Sequence, residues 1–299
     1  MPHTLDGDKI PRNDKGELVL TELRYRDESG NLGDKIPPNN NIPKEFNFLI
    51  IGDSTSTKLE EQMIRTETDI QYLTGEYPHY GGIKSTGNGL RSQRLNRMTT
   101  IAAAFAADPA NKNATRENCT ILKAVLDWVD IIGADRNSKN KDNVVNMKHY
   151  IKLILNDAAN IILNFHRMNK KTVFVVSLVQ PIMSDDTWLD MTKNNPGFTG
   201  FCHCMELECF LYWKKFNRDT GINVEVIWLT KAITETAERI AKCYKQRKGK
   251  DCTWSSPYKA LINGIHLTVN GQKILCNEIY RSALQAWSNP NSHVYQGNE

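Results

Sequence analysis

Short apolar runs alternate along the chain with longer segments whose apolar residues recur at helical spacing. An apolar run of a few residues bounded by Gly or Pro is typical of a buried strand, whereas apolar residues three and four positions apart predict one face of a helix. We predict strands over 46–51, 128–132, 172–179 and 224–229. We predict helices over 57–72, 99–107, 147–168, 205–216 and 270–287.

This alternation predicts an α/β fold, a three-layer α/β/α sandwich whose mostly parallel central sheet is covered by helices on both faces. The first part of the chain differs, because it is polar, rich in Asp, Asn, Gly and Pro, and has few apolar residues to offset the entropy lost on ordering. We therefore predict an extended or disordered N-terminal arm over 1–45, one α/β domain over 46–288 and a C-terminal tail over 289–299.

The charge of the chain limits the partners that can be expected. The net charge of +4 is well short of the dense Lys and Arg clustering of a dedicated nucleic-acid binder. The strongest local run of charge contains Lys245, Arg247, Lys248 and Lys250. We interpret this basic run either as a solvated loop or as a contact for nucleic acid.

The cysteines and the termini bear on the cellular compartment. Seven cysteines, an odd number in a long chain, argue against a disulfide scaffold and favour reduced thiols in the cytoplasm. The sequence shows neither a secretory signal nor an apolar run approaching the roughly 20 residues that span a bilayer, so we expect a cytoplasmic protein without membrane contact. Cys202, His203, Cys204 and Cys209 form one compact group, but zinc sites usually pair two such groups, so we expect no metal there.

Two segments far apart in the sequence carry residues suited to nucleophilic catalysis. Ser54 directly follows the first predicted strand, and the helix after it aims its N-terminal amides at the same place. His266 lies in a loop before the last predicted helix, from which it could reach the end of the sheet as a general base. Each residue also has a simpler interpretation, because Ser54 could cap the following helix and His266 could be a surface residue without a role.

Together the two segments resemble the SGNH (GDSL-type) hydrolase family. Gly-Asp-Ser at 52–54 matches the first motif of that family, and Asn-Gly-Ile-His-Leu-Thr at 263–268, followed by Gly271, resembles its last motif, Asp-x-x-His with a downstream glycine. The matched elements cover nearly all of the chain outside the predicted arm and tail. The resemblance implies an esterase in which Ser54 attacks an ester carbonyl carbon and His266 takes its proton, with no metal or organic cofactor.

The resemblance also implies an oxyanion site. Gly89 fits the glycine of the second motif best, with Gly87 as the alternative and a simple turn as the competing interpretation. The third motif, Gly-x-Asn-Asp, aligns with the segment that starts at Gly133 and places Asp135 where the family has an asparagine. A carboxylate cannot donate a hydrogen bond to an oxyanion, and loss of one such donor costs roughly 10²–10³ in rate. The adjoining Arg136 and Asn137 are alternative donors.

A second departure concerns the residue that orients the histidine, because Asn263 stands where the family has Asp. In a serine protease the equivalent exchange costs about 10⁴ in rate. Two hypotheses follow. The first is an esterase for carboxylic or O-acetyl esters that uses Ser54 and His266, with Asp53, Gly89, Gly133 and Asp135 at the oxyanion or substrate. The second is a catalytically weak or inactive binding module for RNA or a protein, which the basic run favours.

Overall fold

The structure is a computed structural model that describes residues 23–37, 40–64, 79–85, 94–109, 117–129, 143–182, 197–252 and 255–288. A five-stranded parallel sheet has the order β4-β3-β5-β6-β7 and consists of β3 (Glu45–Gly52), β4 (His79–Ser85), β5 (Cys119–Lys123), β6 (Val173–Ser177) and β7 (Val224–Val226). The helices include α1 (Leu95–Ala107), α2 (Asn143–Met168), α3 (Gly197–Thr220), α4 (Leu229–Lys248), α5 (Ser255–Lys259) and α6 (Val269–Ser288), and residues 59–64 and 126–129 are also helical.

The side chains of each strand alternate between two hydrophobic cores, one on each face of the sheet. On β3, Phe46, Phe48 and Ile50 enter the core formed with α4 and α6, whereas Leu49 and Ile51 enter the core formed with α1, α2 and α3. Both faces of the sheet are therefore covered, which explains why β3 is apolar at nearly every position. The predicted three-layer α/β/α sandwich with a parallel central sheet is confirmed.

One predicted strand was wrong. The prediction began a strand at Trp128, but the third strand of the sheet in chain order is β5, and residues 126–129 are helical. The apolar residues Val125 and Trp128 lie three positions apart and face the core from this helical turn. The true strand escaped detection because it contains Thr120 and Lys123, whose polar groups are satisfied by partners elsewhere in the fold.

The prediction also missed a helix between Leu229 and Lys248. This helix is α4, whose buried side chains Ala232, Ile233, Ala237 and Ile240 recur at helical spacing along an otherwise polar sequence. The basic run therefore lies largely on the last turn of a helix and not in a loop, with only its last member beyond the helix end.

The order of the strands reverses beside β3, which in a parallel sheet opens a crevice at that point. The chain forms β3 first, places β4 on one side of it and then crosses back to place β5 on the other side. In parallel sheets of this kind, ligands bind beyond the carboxyl ends of the strands at the point where the order reverses. A Cβ atom on Gly52 would overlap the carbonyl oxygen of Lys123, so only glycine allows β3 and β5 to approach this closely at their carboxyl ends.

The described portion of the predicted N-terminal arm is attached to the domain. The strands β1 (Arg24–Arg26) and β2 (Leu32–Lys35) form an antiparallel hairpin flanked by the buried side chains of Leu23 and Ile36. The Arg26 guanidinium is buried against Glu278 of α6. Composition does not predict this attachment, because it depends on two isolated apolar side chains and on buried polar contacts of Arg26, and not on a run of apolar residues.

The seven cysteines all lie within the described residues as free thiols. Cys202, Cys204 and Cys209 all lie on α3, where Cys202 and Cys209 face the core and Cys204 is exposed, so the three side chains do not converge. Within the described ranges no group of three or more His, Cys, Asp or Glu side chains is arranged to hold a metal ion. No helix in those ranges has both the length and the apolar character needed to cross a membrane.

Candidate active site

Ser54 begins a short 3-10 turn directly after the carboxyl end of β3. Three hydroxyl side chains occupy this turn, and two of them are buried and engaged: the Thr55 hydroxyl donates to Asp53 Oδ1 at 2.6 Å and the Ser56 hydroxyl to the Asp53 carbonyl oxygen at 2.8 Å. Ser54 is half-buried, and its hydroxyl makes no hydrogen bond within the described residues. Ser54 is therefore the hydroxyl of this turn that a ligand can reach.

Most backbone amides of the turn are also hydrogen-bonded within the protein. Asp53 donates its amide to the Lys123 carbonyl oxygen, Ser56 to the Asp53 carbonyl oxygen and Thr57 to the Ser54 carbonyl oxygen. The Thr55 amide donates to Asp53 Oδ1 at 2.8 Å. The amide of Ser54 is thus the candidate donor to a ligand, which is the role that an oxyanion site requires.

Asp53 was predicted to lie at the oxyanion or substrate, and its carboxylate is fully buried and occupied within the protein. One oxygen accepts from the amide and the hydroxyl of Thr55. The other accepts from the amides of Val125 and Leu126 at 2.6 and 2.7 Å. Asp53 therefore joins the loop that carries Ser54 to the loop that follows β5, across the crevice where the strand order reverses.

The third family motif was predicted to follow a strand over 128–132, but the strand that precedes this part of the chain is β5, and the loop after it begins at Ala124. Its first residues, Ala124, Val125 and Leu126, provide no side-chain hydrogen-bond donor. The next residue, Asp127, accepts from the Leu95 amide at 3.1 Å and so satisfies one of the amides that the first turn of α1 leaves without a partner inside the helix. The predicted third-motif residues Gly133 and Asp135, like the second-motif residues Gly89 and Gly87, lie outside the described residues.

His266 lies on a two-stranded antiparallel hairpin formed by β8 (Ile262–Asn263) and β9 (His266–Leu267), immediately before α6. Asn263 and His266 are direct cross-strand partners, and both are exposed. The structure thus brings together the two residues aligned with the last family motif. Gly271 is required in the first turn of α6, because a Cβ atom there would overlap the carbonyl oxygen of Leu261 at the base of the hairpin.

The hairpin lies across the carboxyl edge of the sheet. Ile262 and Leu267 are buried in the core on one face, whereas Ile265 packs against the core on the other face. The Gln180 side chain, three residues beyond the end of β6, donates to the Ile265 carbonyl oxygen at 2.9 Å. His266 is therefore attached to the same edge of the sheet at which Ser54 leaves β3.

A buried lysine at this edge was missed by sequence reasoning. Lys123, the last residue of β5, is fully buried and donates to Gln180 Oε1 at 2.9 Å. Burial lowers the pKa of Lys123 to about 8, although the nearby carboxylates of Asp53 and Glu206 act in the opposite direction. In the sequence, the feature that could have indicated this buried lysine is its position at the end of a largely apolar stretch.

Glu206 of α3 places a second buried ionisable group in this region. Its Oε1 accepts from the Thr230 amide at 2.6 Å in the first turn of α4, where the helix dipole also stabilises a carboxylate. Its Oε2 lies 3.8 Å from His203 Nδ1, and the His203 ring packs against Trp228. Burial raises the pKa of the Glu206 carboxyl. The sequence had suggested His203 only as part of a group with cysteines.

Protein-family models and curated proteins provide no relative from which a function could be transferred. No protein-family model matches the chain, and no curated protein matches it in sequence. The features that bear on function are therefore the geometry of the sheet edge and the motifs around Ser54 and His266.

Proposed function

We propose that this chain is a serine ester hydrolase of the SGNH kind, which cleaves carboxylic or O-acetyl esters with Ser54 as nucleophile and His266 as general base. The observation that supports this most strongly is the attachment of the His266 hairpin, through Gln180, to the sheet edge where Ser54 leaves β3. The accessible hydroxyl and available amide of Ser54 add to the support.

In the proposed reaction, His266 removes the proton from the Ser54 hydroxyl as its oxygen attacks the ester carbonyl carbon. The negative charge that develops on the carbonyl oxygen is stabilised by the Ser54 amide, with Gly89 as the second proposed donor. His266 then protonates the leaving alcohol, and a water molecule activated by the same imidazole hydrolyses the acyl-serine. Because Asn263 stands opposite His266 in place of a carboxylate, we expect a modest rate.

The decisive experiment measures hydrolysis of a short-chain aryl ester by the full-length protein. We expect Ser54→Ala to reduce the rate to background and His266→Ala to reduce it by about 10²–10⁴-fold, the usual contribution of a general base. A fluorophosphonate probe should label Ser54 in the wild type, as located by peptide mass spectrometry. Thr57→Ala is the matched control, because it removes an exposed hydroxyl three residues away and should change neither rate nor labelling. Equal rates for the wild type and Ser54→Ala would rule out the hydrolase.

We propose RNA binding as the second candidate function, supported by the exposure of the basic run. Lys245, Arg247 and Lys248 occupy the last turn of α4, and Lys250 follows it. All four side chains are exposed, and among the described residues only Lys245 has an acidic partner, Asp251 at 3.1 Å. Exposed cations on one surface provide the sequence-independent attraction to phosphate on which such binding depends.

The RNA proposal predicts that changing Arg247, Lys248 and Lys250 together to Glu will abolish binding of a single-stranded RNA oligonucleotide. The salt dependence of any residual binding should also become shallower, because fewer phosphate counter-ions are released. A matched control changes three exposed cations near the end of α2 to Glu, namely Arg167, Lys170 and Lys171. Equal loss of affinity in both triple variants would indicate nonspecific charge attraction and contradict a site on α4.

A further inference from the structure

We propose that Gln180 is a positioning residue of the ester-hydrolase site, through which the buried Lys123 holds the hairpin that carries His266. This inference rests on the proposed hydrolase function and adds to it a residue that no family motif contains. The chain of contacts runs from Lys123 Nζ to Gln180 Oε1 and from Gln180 Nε2 to the Ile265 carbonyl oxygen, each at 2.9 Å.

The orientation of the Gln180 amide is fixed by the chemistry of its two partners. A lysine ammonium can only donate, so the amide oxygen must face Lys123. A backbone carbonyl can only accept, so the amide nitrogen must face Ile265. The main chain of Gln180 is anchored as well, because its carbonyl oxygen accepts from the Trp128 indole at 3.2 Å. With Gln180 fully buried, its position is determined at both ends and at the backbone.

The hairpin needs this support because its own strands are only two residues long. An isolated two-stranded hairpin is at best marginally stable in water. Ile262 and Leu267 hold its base in the core, and the Gln180 bond holds the tip at Ile265, next to His266. A general base must stay within hydrogen-bond reach of its nucleophile, and a misplacement of about 1 Å can cost about 10²-fold in rate.

The placement of Lys123 is costly for the fold and therefore calls for a reason. Its ammonium is fully buried and its hydrogen-bond partner is a neutral amide, so the nearby carboxylates of Asp53 and Glu206 offset only part of this cost. An apolar residue would pack at this strand position without that cost. Lys123 can, however, force the Gln180 amide to present its nitrogen to the hairpin, which an apolar residue cannot do.

Gln180→Glu tests the proposal directly. Glutamate still accepts from Lys123 but cannot donate to the Ile265 carbonyl oxygen. We expect kcat for the aryl ester to fall by about 10²-fold with KM nearly unchanged. Fluorophosphonate labelling of Ser54 should slow in parallel, and hydrogen exchange of the amides at 263–268 should accelerate.

Two further variants separate positioning from general stability. Thr120→Val removes a buried hydroxyl contact on the same strand as Lys123 but away from the carboxyl edge, and it should leave kcat unchanged. Lys123→Met removes the buried charge, frees the amide to rotate and should lower kcat as Gln180→Glu does. This second variant keeps the proposal testable if the glutamate variant does not fold.

The outcomes distinguish this inference from the proposed function. If the wild type is active and both Gln180→Glu and Lys123→Met retain its kcat and its hairpin exchange, the positioning role is overturned. If Thr120→Val lowers kcat as much as they do, the effect is one of stability and the inference is also overturned. If Ser54→Ala hydrolyses the ester as fast as the wild type, the hydrolase proposal itself fails, whatever the exchange experiment shows.

Discussion

Replacing Glu278 with Gln is expected to lower the free energy of unfolding by about 3–5 kcal/mol, the usual cost of removing one partner from a buried ion pair. Glu278, Arg26 and Arg281 each have side chains that are 1% exposed, so the variant leaves two buried guanidinium groups without the carboxylate that they share. Gln preserves the shape of the side chain, so the loss reflects charge and hydrogen bonding and not a cavity.

The contacts of Glu278 explain the size of this effect. Its two oxygens accept from Arg26 Nη2 and Nε at 2.9 and 3.1 Å, and Oε2 also accepts from Arg281 Nε at 2.7 Å. Arg26 is further bound by Glu235 of α4, and Arg281 by Gln285. The network therefore joins the N-terminal hairpin to α4 and α6, and we expect its loss to loosen this attachment first.

The pH dependence provides an independent check of the same contact. Burial alone would raise the pKa of the Glu278 carboxyl, but Arg26 and Arg281 lower it to about 2. A carboxyl whose pKa is lower in the folded state stabilises the fold above its unfolded pKa and loses that contribution as pH falls toward its folded pKa. The difference between the wild type and Glu278→Gln should therefore be full at pH 7 and shrink steadily below about pH 4.3.

Urea denaturation at pH 7, 5 and 3 measures this difference. The exposed Glu238 of α4 offers the matched control, since Glu238→Gln makes the same chemical change at the surface and should alter stability by no more than about 0.5 kcal/mol. If both variants lose the same stability, or if the loss from Glu278→Gln is independent of pH, the buried carboxylate does not stabilise the fold as described.

Local patterns predicted those elements of the fold whose stability comes from apolar alternation. The first strand was predicted over 46–51 and extends over Glu45–Gly52, and the last helix was predicted over 270–287 and extends over Val269–Ser288. Strand β5 was missed because its Thr120 hydroxyl pairs with that of Thr172 and its Lys123 ammonium with Gln180. Tertiary partners make these polar residues acceptable in a buried strand, and a local pattern contains no information about such partners.

The residues of the candidate site likewise divide into those that local sequence predicts and those that it does not. Ser54 and His266 could be proposed from the sequence because each lies in a short motif with a recognisable neighbourhood. Gln180 could not, because its role depends on Lys123, 57 residues before it, and on Ile265, 85 residues after it. Residues that support a site from distant parts of the sequence can be identified only from the structure, in which the sheet brings its strand ends together.

Replacing Asp53 with Asn is expected to destabilise the protein by about 2–4 kcal/mol and to slow labelling of Ser54 by a fluorophosphonate. The Asp53 carboxylate accepts hydrogen bonds on both oxygens, from Thr55 on one and from the amides of Val125 and Leu126 on the other. An asparagine has one oxygen, so its NH₂ group must face donors at one of the two places. Leaving buried donors unsatisfied costs about 1–3 kcal/mol for each group.

The two measurements together show whether Asp53 serves the fold alone or also the site. Asp251→Asn is the control, because Asp251 is exposed and the same chemical change there should leave labelling unaffected. If stability falls while the labelling rate of the folded fraction is unchanged, the loop after β5 is held independently of the Ser54 turn. If both fall together, the two loops act as one unit across the crevice, and the accessible hydroxyl of Ser54 depends on a carboxylate that never meets the substrate. Unchanged stability and labelling would contradict the importance of all four hydrogen bonds.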